Sequence, residues 1–191
     1  LIDLRSRTHY FGEKGEELAD YAQNFMVTSH SVKDTTIYTY QGDVLDYTTT
    51  YKLGAVDDND TTGLAKKSYT NYVGNSKGEE ITDYTLGYKG DAGSEIVTNT
   101  TVYFYTGTQK RASEAGVTSD DAMNASSVYK NDHNTAIYTD MTDLRSRTHY
   151  FGDKGEELAD YAQNFMMSDH SVKDTTIYTY VSDVLDYTTT Y

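Results

Sequence analysis

Apolar and polar residues alternate along much of this chain with a period of two. In VLDYTTTYK, residues 44–52, Leu45, Tyr47 and Tyr51 fall on one face and Asp46 falls on the other. The stretches TTIYTY and TTVYFY, at residues 35–40 and 100–105, are β-branched or aromatic throughout. Both features are typical of β-strands, whose successive side chains point to opposite sides of a sheet. We count eight or nine such strands in 140 residues.

One segment carries a competing helical pattern. Its apolar residues have the spacing of an amphipathic helix, and they are Leu18, Tyr21, Ala22, Phe25 and Met26. Residues 77–88 (KGEEITDYTLGY) echo residues 14–25 (KGEELADYAQNF), but the echo contains threonine and glycine, which are poor helix formers. We therefore predict a strand in both segments. The likeliest helical exception is SDDAMNAS, residues 119–126, with Ser119 as its N-cap.

The chain also repeats itself. Residues 3–51 and 143–191 are identical at 43 of 49 positions. Self-similarity at a fixed spacing is the signature of repeat architectures. We divide the chain into a short repeat unit (5–66), a long repeat unit (67–144) with a polar insertion near 106–127, and a truncated second short unit (145–191). We expect these residues to be part of a longer array of such units.

A smaller cassette recurs inside the units. It reads aromatic-x-Gly, a polar turn, and then Asp-Tyr followed by another aromatic residue, and it begins at Tyr10, Tyr40 and Tyr72. Two aromatic segments around a glycine-containing turn predict a β-hairpin. A single hairpin is only marginally stable in water. We therefore expect the aromatic face of one hairpin to be covered by the next.

The predicted fold is all-β, with tandem β-hairpin repeats stacked into an elongated, open-ended, solenoid-like rod or filament. Tyrosine suits the core of a thin rod because its ring buries apolar area while its hydroxyl reaches water. The alternative is that tyrosine and threonine are simply strand formers on a half-exposed sheet. The structural aromatic positions that we predict are Tyr10, Tyr21, Phe25, Tyr38, Tyr40, Tyr47, Tyr51, Tyr72, Tyr84, Tyr88, Tyr103, Tyr105, Tyr150, Tyr161 and Phe165.

The composition limits the classes of partner that we expect. The formal net charge of −14 repels nucleic acid and anionic lipid, so we expect neither as a partner. No run of about 18 apolar residues is present, so we predict no membrane span. With no cysteine, the chain has neither disulfides nor thiolate metal sites.

Candidate chemistry is sparse. Hydrolase, phosphate-binding and metalloprotease motifs are absent from the sequence, and four of its five histidines form two repeated pairs, so we predict no catalytic residue, no enzyme and no cofactor. The acidic turn VDDND is the best candidate for a divalent cation, with a plain acidic turn as the alternative; its ligands would be Asp57, Asp58 and Asp60. Serine and threonine are candidates for O-linked sugars, and three sequons are candidates for N-linked glycans, at Asn59, Asn99 and Asn124.

The segments RTHYFGEKGEELADY, DTTIYTY and RASEAG followed by SDDAM, with the bias to tyrosine and threonine, resemble tandem-repeat regions of giant proteins of uncultured environmental bacteria. The resemblance covers nearly the whole chain and implies a very long surface or secreted protein, but it transfers no catalytic residue. We expect a structural repeat protein that forms an extracellular fibre or filament by self-association of neighbouring repeats. The alternative is a repeated spacer or adhesion module at the cell surface that holds a glycan through exposed tyrosines.

Overall fold

A computed structural model describes residues 4–107 and 109–191 of the chain. Asp3, at the start of the first repeat copy, and Thr108, in the polar insertion, lie outside the described residues. The prediction of an all-β protein is confirmed, since the described residues form a 13-stranded antiparallel sheet and no helix. The strands are β1 (Ser6–Phe11), β2 (Leu18–Phe25), β3 (Val32–Gln41), β4 (Val44–Lys52), β5 (Lys66–Val73), β6 (Ile81–Lys89), β7 (Ile96–Tyr105), β8 (Lys110–Arg111), β9 (Met123–Lys130), β10 (Leu144–Phe151), β11 (Leu158–Phe165), β12 (Val172–Val181) and β13 (Val184–Thr190).

Strands that are consecutive in the chain are neighbours in the sheet, except that β9 pairs with β7 and the two-residue strand β8 also pairs with β7. By packing, the chain divides into two compact units. The first unit is Leu1–Glu80 with Gly87–Val97, and the second is Ile81–Leu86 with Thr98–Tyr191. The predicted repeat boundaries stay a prediction. No helix in the described part of the chain is long and apolar enough to cross a membrane.

The segment with the competing helical pattern is a strand, as predicted. Residues 18–25 form β2, and their echo forms β6. The predicted hairpins at Tyr10 and Tyr40 are also confirmed, because β1 pairs with β2 and β3 pairs with β4. An isolated helix of this length is only marginally stable in water. The neighbouring strands offer partners for the same backbone groups, so strand pairing decides the conformation here.

The predicted helix at residues 119–126 is wrong. Thr118 and Asp121 instead close a turn: the Asp121 N–H donates to the Thr118 carbonyl at 3.2 Å, and the Thr118 N–H donates to the Asp121 carboxylate at 2.7 Å. Strand β9 begins directly after this turn, and Ala125 and Ser126 pair with β7 and β10 on either side. From Met123 onwards this backbone pairs with flanking strands, and the weak helix propensity of the sequence does not compete with that pairing.

Four hairpin turns share a Gly-x-Glu pattern. In each, the glutamate carboxylate accepts the glycine N–H at 2.8–2.9 Å, in the pairs Gly15–Glu17, Gly78–Glu80, Gly93–Glu95 and Gly155–Glu157. Three of these carboxylates also accept a backbone N–H from the strand two places earlier in the sheet, in the pairs Glu80–Leu45, Glu95–Lys66 and Glu157–Met123. A charged acceptor strengthens such bonds. Three of the turns are therefore hydrogen-bonded to a strand that is not their immediate neighbour in the sheet.

The sheet is covered by other parts of the chain than we expected from the sequence, which predicted that each hairpin packs on the next. In the second unit, the core consists of Val102, Phe104, Ala125, Tyr129 and Leu144 under the irregular residues 131–143, which contribute Ala136. In the first unit, the irregular residues 53–64 lie over β2 and β3. The hairpins are neighbours within a sheet, and long connections fold back to cover them. We call residues 53–64 the first covering segment and residues 131–143 the second covering segment.

The predicted aromatic positions divide between buried and exposed. Tyr21, Phe25 and Tyr105 are buried, whereas Tyr10 is 65% exposed. Tyr129, which the cassette did not single out, is fully buried, and its hydroxyl donates to the Asp140 carbonyl at 3.2 Å. Aromatic residues of this sheet are therefore buried where a covering segment lies over them or where side chains of neighbouring strands surround them.

Candidate functional site

The first covering segment binds a row of polar side chains on β1, β2 and β3. The ladder places Arg7 beside Gln23 and Gln23 beside Thr35, and it places His9 beside Tyr21. The His9 and Tyr21 rings stack with centroids 4.3 Å apart. Side chains two residues apart on a strand share a face. We call this set, Arg7, His9, Tyr21, Gln23 and Thr35, the repeated face.

Gln23 is the centre of the repeated face. Its side chain is fully buried, and its amide nitrogen donates to the carbonyls of Ala55 and Asp58 at 2.7 and 3.1 Å. The Asp57 N–H donates to the amide oxygen of Gln23 at 3.0 Å. One side chain thus satisfies three backbone groups of the covering segment, as buried polar groups require.

Further contacts hold the first half of the first covering segment. The Thr35 hydroxyl donates to the Leu53 carbonyl at 2.9 Å. Arg7 forms a hydrogen-bonded ion pair with Asp57, and the His9 ring nitrogen Nε2 lies 3.3 Å from the same carboxylate. The hydrogen bond from Arg7 is the main reason why the pKa of Asp57 lies below its usual range. This ion pair is partly exposed, so it orients the segment more than it stabilises it.

Gly54 allows the close approach of the segment. Its φ is +140°, and a Cβ at this position would lie 2.3 Å from the Thr35 hydroxyl oxygen. Such a conformation is essentially restricted to glycine. The adjacent Val32 is only 2% exposed under the segment.

The second repeat copy presents the same face on β10, β11 and β12. Its members are Arg147, His149, Tyr161, Gln163 and Thr175, and they pair in the same register as the first copy. His149 stacks on Tyr161 at 4.3 Å, as His9 stacks on Tyr21. Burial lowers the pKa of His149. We call this set the second repeated face.

The second repeated face is covered by the connection that precedes its copy, the second covering segment. The Arg147 guanidinium lies 4.0 Å from the ring centroid of Tyr138, in the second covering segment, and donates to the Tyr138 carbonyl and to the Ser127 hydroxyl. The Tyr138 hydroxyl lies 3.4 Å from His149 Nε2. Only the Arg-His side of this face is covered. In the described part of the chain, the side chain of Gln163 has no hydrogen-bond partner.

A buried ion pair joins the polar insertion to β6. Arg111 donates to both carboxylate oxygens of Asp83, at 3.0 and 2.5 Å, and both side chains are buried. Arg111 also lies over the Tyr84 ring at 5.7 Å. Bidentate geometry makes such a pair strong but does not make it reactive. Sequence reasoning missed this pair because the two residues lie 28 positions apart and nothing in their own segments indicates that they contact each other.

The predicted cation ligands do not converge. Asp57 binds Arg7 and His9, the Asp58 carboxylate accepts the Asp60 N–H at 2.9 Å, and the Asp60 carboxylate accepts the Thr62 N–H at 2.8 Å. Across residues 4–107 and 109–191, no cluster of three or more histidines and acidic residues is arranged to hold a metal ion. The acidic turn thus uses its carboxylates on protein partners.

The three sequons occupy different environments. Asn59 is exposed in the first covering segment, whereas Asn99 lies in β7 and Asn124 in β9, both half-buried. The side-chain nitrogen of Asn124 donates to the Thr106 carbonyl. Asn59 is the most accessible of the three, and glycosylation stays a prediction.

An aromatic groove of about 610 Å³ lies on the first unit. Its walls include Tyr47, Tyr51 and Tyr69, and Asn59 and Lys66 also line it. The Tyr47 and Tyr69 rings are stacked with centroids 5.1 Å apart. Flat aromatic rings beside polar groups can accept the apolar face of a sugar.

The chain matches no protein-family profile, no curated protein and no solved structure.

Proposed function

We propose that this protein is a structural repeat protein whose sheet grows by strand addition into an extracellular or cell-surface fibre. The observation that carries the proposal is the edge strand β13. It has the sequence of β4, residue for residue, over Val184–Thr190. In the first unit, β4 pairs with β5 from Tyr47 to Tyr51. The second unit presents the same pairing edge on β13, and unpaired strand edges are templates for a further strand.

The neighbours of β4 indicate what an added strand would contribute. Lys67, on β5, donates to the buried carboxylate of Asp34 at 2.8 Å, and Asn24 donates to the same carboxylate at 2.7 Å. Burial alone would raise the pKa of Asp34, but these bonds outweigh it and the pKa is lowered. Asp174 is the equivalent residue of the second copy, and it is bound by Asn164 while its nearest lysine, Lys173, is 4.0 Å away. A strand like β5 would place a lysine within hydrogen-bond distance of Asp174, as Lys67 lies beside Asp34.

Exposed apolar side chains on β13 support the same proposal. Val184, Leu185 and Tyr187 are all exposed, and Tyr187 is 56% exposed. Its counterpart Tyr47 stacks on Tyr69 of β5. An edge of this kind is an aggregation risk unless a further strand covers it. The resemblance to giant surface or secreted repeat proteins agrees with a location outside the cell.

Electron microscopy of native material tests the proposal. A continuous sheet that advances by eight strands per period, β1 to β7 and β9, at a spacing of about 4.8 Å, predicts filaments with an axial repeat of roughly 40 Å. The native polypeptide should also run far above 21.5 kDa on a denaturing gel if growth is along one chain. Isolated beads on flexible strings, without an axial repeat, would contradict the fibre.

The aromatic groove favours a second candidate, a spacer or adhesion module that binds carbohydrate. NMR titration of the chain with oligosaccharides should then shift resonances of Tyr47 and Tyr69. The Tyr47→Ala variant should weaken this binding at least tenfold, whereas Tyr187→Ala, at the same repeat position on β13, should leave it unchanged. Equal effects of the two substitutions, or no saturable shift, would contradict a sugar site in this groove.

A further inference from the structure

We infer that the second repeated face is a docking site for an acidic peptide segment with the sequence of the first covering segment. This inference rests on the proposed function, because it names the part of a following unit that would cover β11 and β12. The occupant is defined by chemistry that the first unit displays: an irregular segment of 12 residues with three aspartates and no lysine or arginine.

The side chains that would bind the segment are the same in the two copies. Gln163 and Thr175 correspond to Gln23 and Thr35, and the ladder holds both pairs side by side in equal register. In the first copy, these side chains bind three backbone groups of the segment and the Leu53 carbonyl. In the second copy, neither side chain has a hydrogen-bond partner in the part of the chain that the structure describes. Gln163 is therefore ready to bind both donors and acceptors of an incoming backbone.

The apolar part of the site is equally uncovered. Val172 is 46% exposed, whereas Val32, its counterpart under the first covering segment, is 2% exposed. The Cβ position of Gly54 lies 3.5 Å from Val32. A docked segment would therefore place its glycine against Val172, and it would remove this side chain from water.

The charge of the site is unbalanced in the way that the segment would correct. Arg147 is only 7% exposed, and within the described residues it has no carboxylate partner. Tyr138 lies over the Arg147 guanidinium, which also donates to the Ser127 hydroxyl and the Tyr138 carbonyl. In the first copy, Arg7 has Asp57. The aspartates of an incoming segment would therefore attract the covered charge of Arg147 without contacting it.

A synthetic peptide of residues 53–64 added to the isotope-labelled 191-residue chain tests the inference by NMR. We expect saturable shifts of the Gln163 side-chain amide and of the Val172 and Thr175 resonances, with a dissociation constant on the order of 1 mM, because ordering a flexible peptide is costly. The Gln23 amide should not shift, since the chain's own segment occupies that site.

Matched variants sharpen the test. Gln163→Ala should abolish the shifts of Val172 and Thr175, and Val184→Ala, on β13 outside the second repeated face, should leave them unchanged. A peptide carrying Asp57→Asn should bind several-fold more weakly, and a scrambled peptide should not bind. Absence of saturable shifts at several millimolar peptide, or equal binding by the scrambled peptide, overturns the inference. Filaments seen in native material without peptide binding would overturn the docking alone, whereas peptide binding by material that forms only beads would overturn the fibre alone.

Discussion

The two repeat copies have nearly the same sequence and the same strand register, yet their burial differs. In the first copy, Gln23, Val32 and Thr35 are buried, and in the second copy Gln163, Val172 and Thr175 are half-buried or exposed. The pairing of β1, β2 and β3 does not explain the difference, because β10, β11 and β12 pair in the same register. The first covering segment explains it. In this sheet, the strands set the positions of side chains and the long connections decide which side chains form a core.

The comparison also shows one arginine position in two environments. Arg7 meets a carboxylate from the connection that follows its copy, and Arg147 meets a carbonyl and an aromatic ring from the connection that precedes it. The same residue of the repeat thus contacts a different connection in each copy.

The largest effect is expected for Gly54→Ala. The new Cβ would meet the Thr35 hydroxyl oxygen and would take a φ that only glycine tolerates, at a cost of about 3 kcal/mol. Amide hydrogen exchange should then show β3 as poorly protected as β12. The control is Gly63→Ala, which has open space around its Cβ and should cost about 1 kcal/mol. Adding Thr35→Ala to Gly54→Ala should recover part of the loss, and full protection in the single variant would contradict the close approach.

The next effect is expected at the central glutamine. Gln23→Ala leaves three backbone groups of the covering segment without partners, so we expect a loss of about 2–3 kcal/mol from the first unit. Gln163→Ala should cost less than about 0.5 kcal/mol, because that side chain is only half-buried and has no hydrogen-bond partner among the described residues. Urea denaturation with residue-resolved NMR separates the two units. Equal losses would mean that the segment does not distinguish the two copies.

A smaller effect is expected for the paired valines. Val32→Ala removes two buried methyl groups and should cost about 2 kcal/mol, whereas Val172→Ala should cost less than about 0.5 kcal/mol. The same denaturation experiment measures both. A cost at Val172 as large as that at Val32 would show that the second face is covered by something else in solution.

The smallest effect is expected at low pH, on the contact between Asp57 and Arg7. The pKa of Asp57 is lowered in the folded chain, so its contribution is complete above the ordinary aspartate pKa of about 3.9 and is lost as the pH falls through the lowered value. Hydrogen exchange in residues 53–64 should therefore rise selectively below about pH 4. Asp57→Asn should remove this acid dependence. An unchanged acid profile in that variant would assign the dependence to another carboxylate.

The all-β class and most strands were predictable, because alternation and β-branched residues act locally. The strand at Leu18–Phe25 required its internal echo, since its own spacing favoured a helix. The segment at residues 119–126 was mispredicted because its conformation depends on two distant strands that flank it. Local sequence carries no signal for such pairing.

The candidate site was less predictable. The acidic turn at Asp57 was recognised as unusual, but its partner Arg7 lies 50 residues earlier, and a turn rich in carboxylates favours a cation when read alone. Gln23 gave no signal, because a glutamine in a strand is ordinarily a solvent-facing residue. The near-identical repeat was the one useful signal, since it allows the two environments of each position to be compared.

Extension of the chain by its own period tests the central claim most directly. A variant with residues 52–142 appended after Tyr191 places the first covering segment and a β5-like strand after β13, in the order that follows β4. Amide exchange at Val172 and Thr175 should slow by about tenfold or more and match that at Val32 and Thr35. If these residues exchange as fast as in the 191-residue chain, the repeats do not cover one another and the account is contradicted.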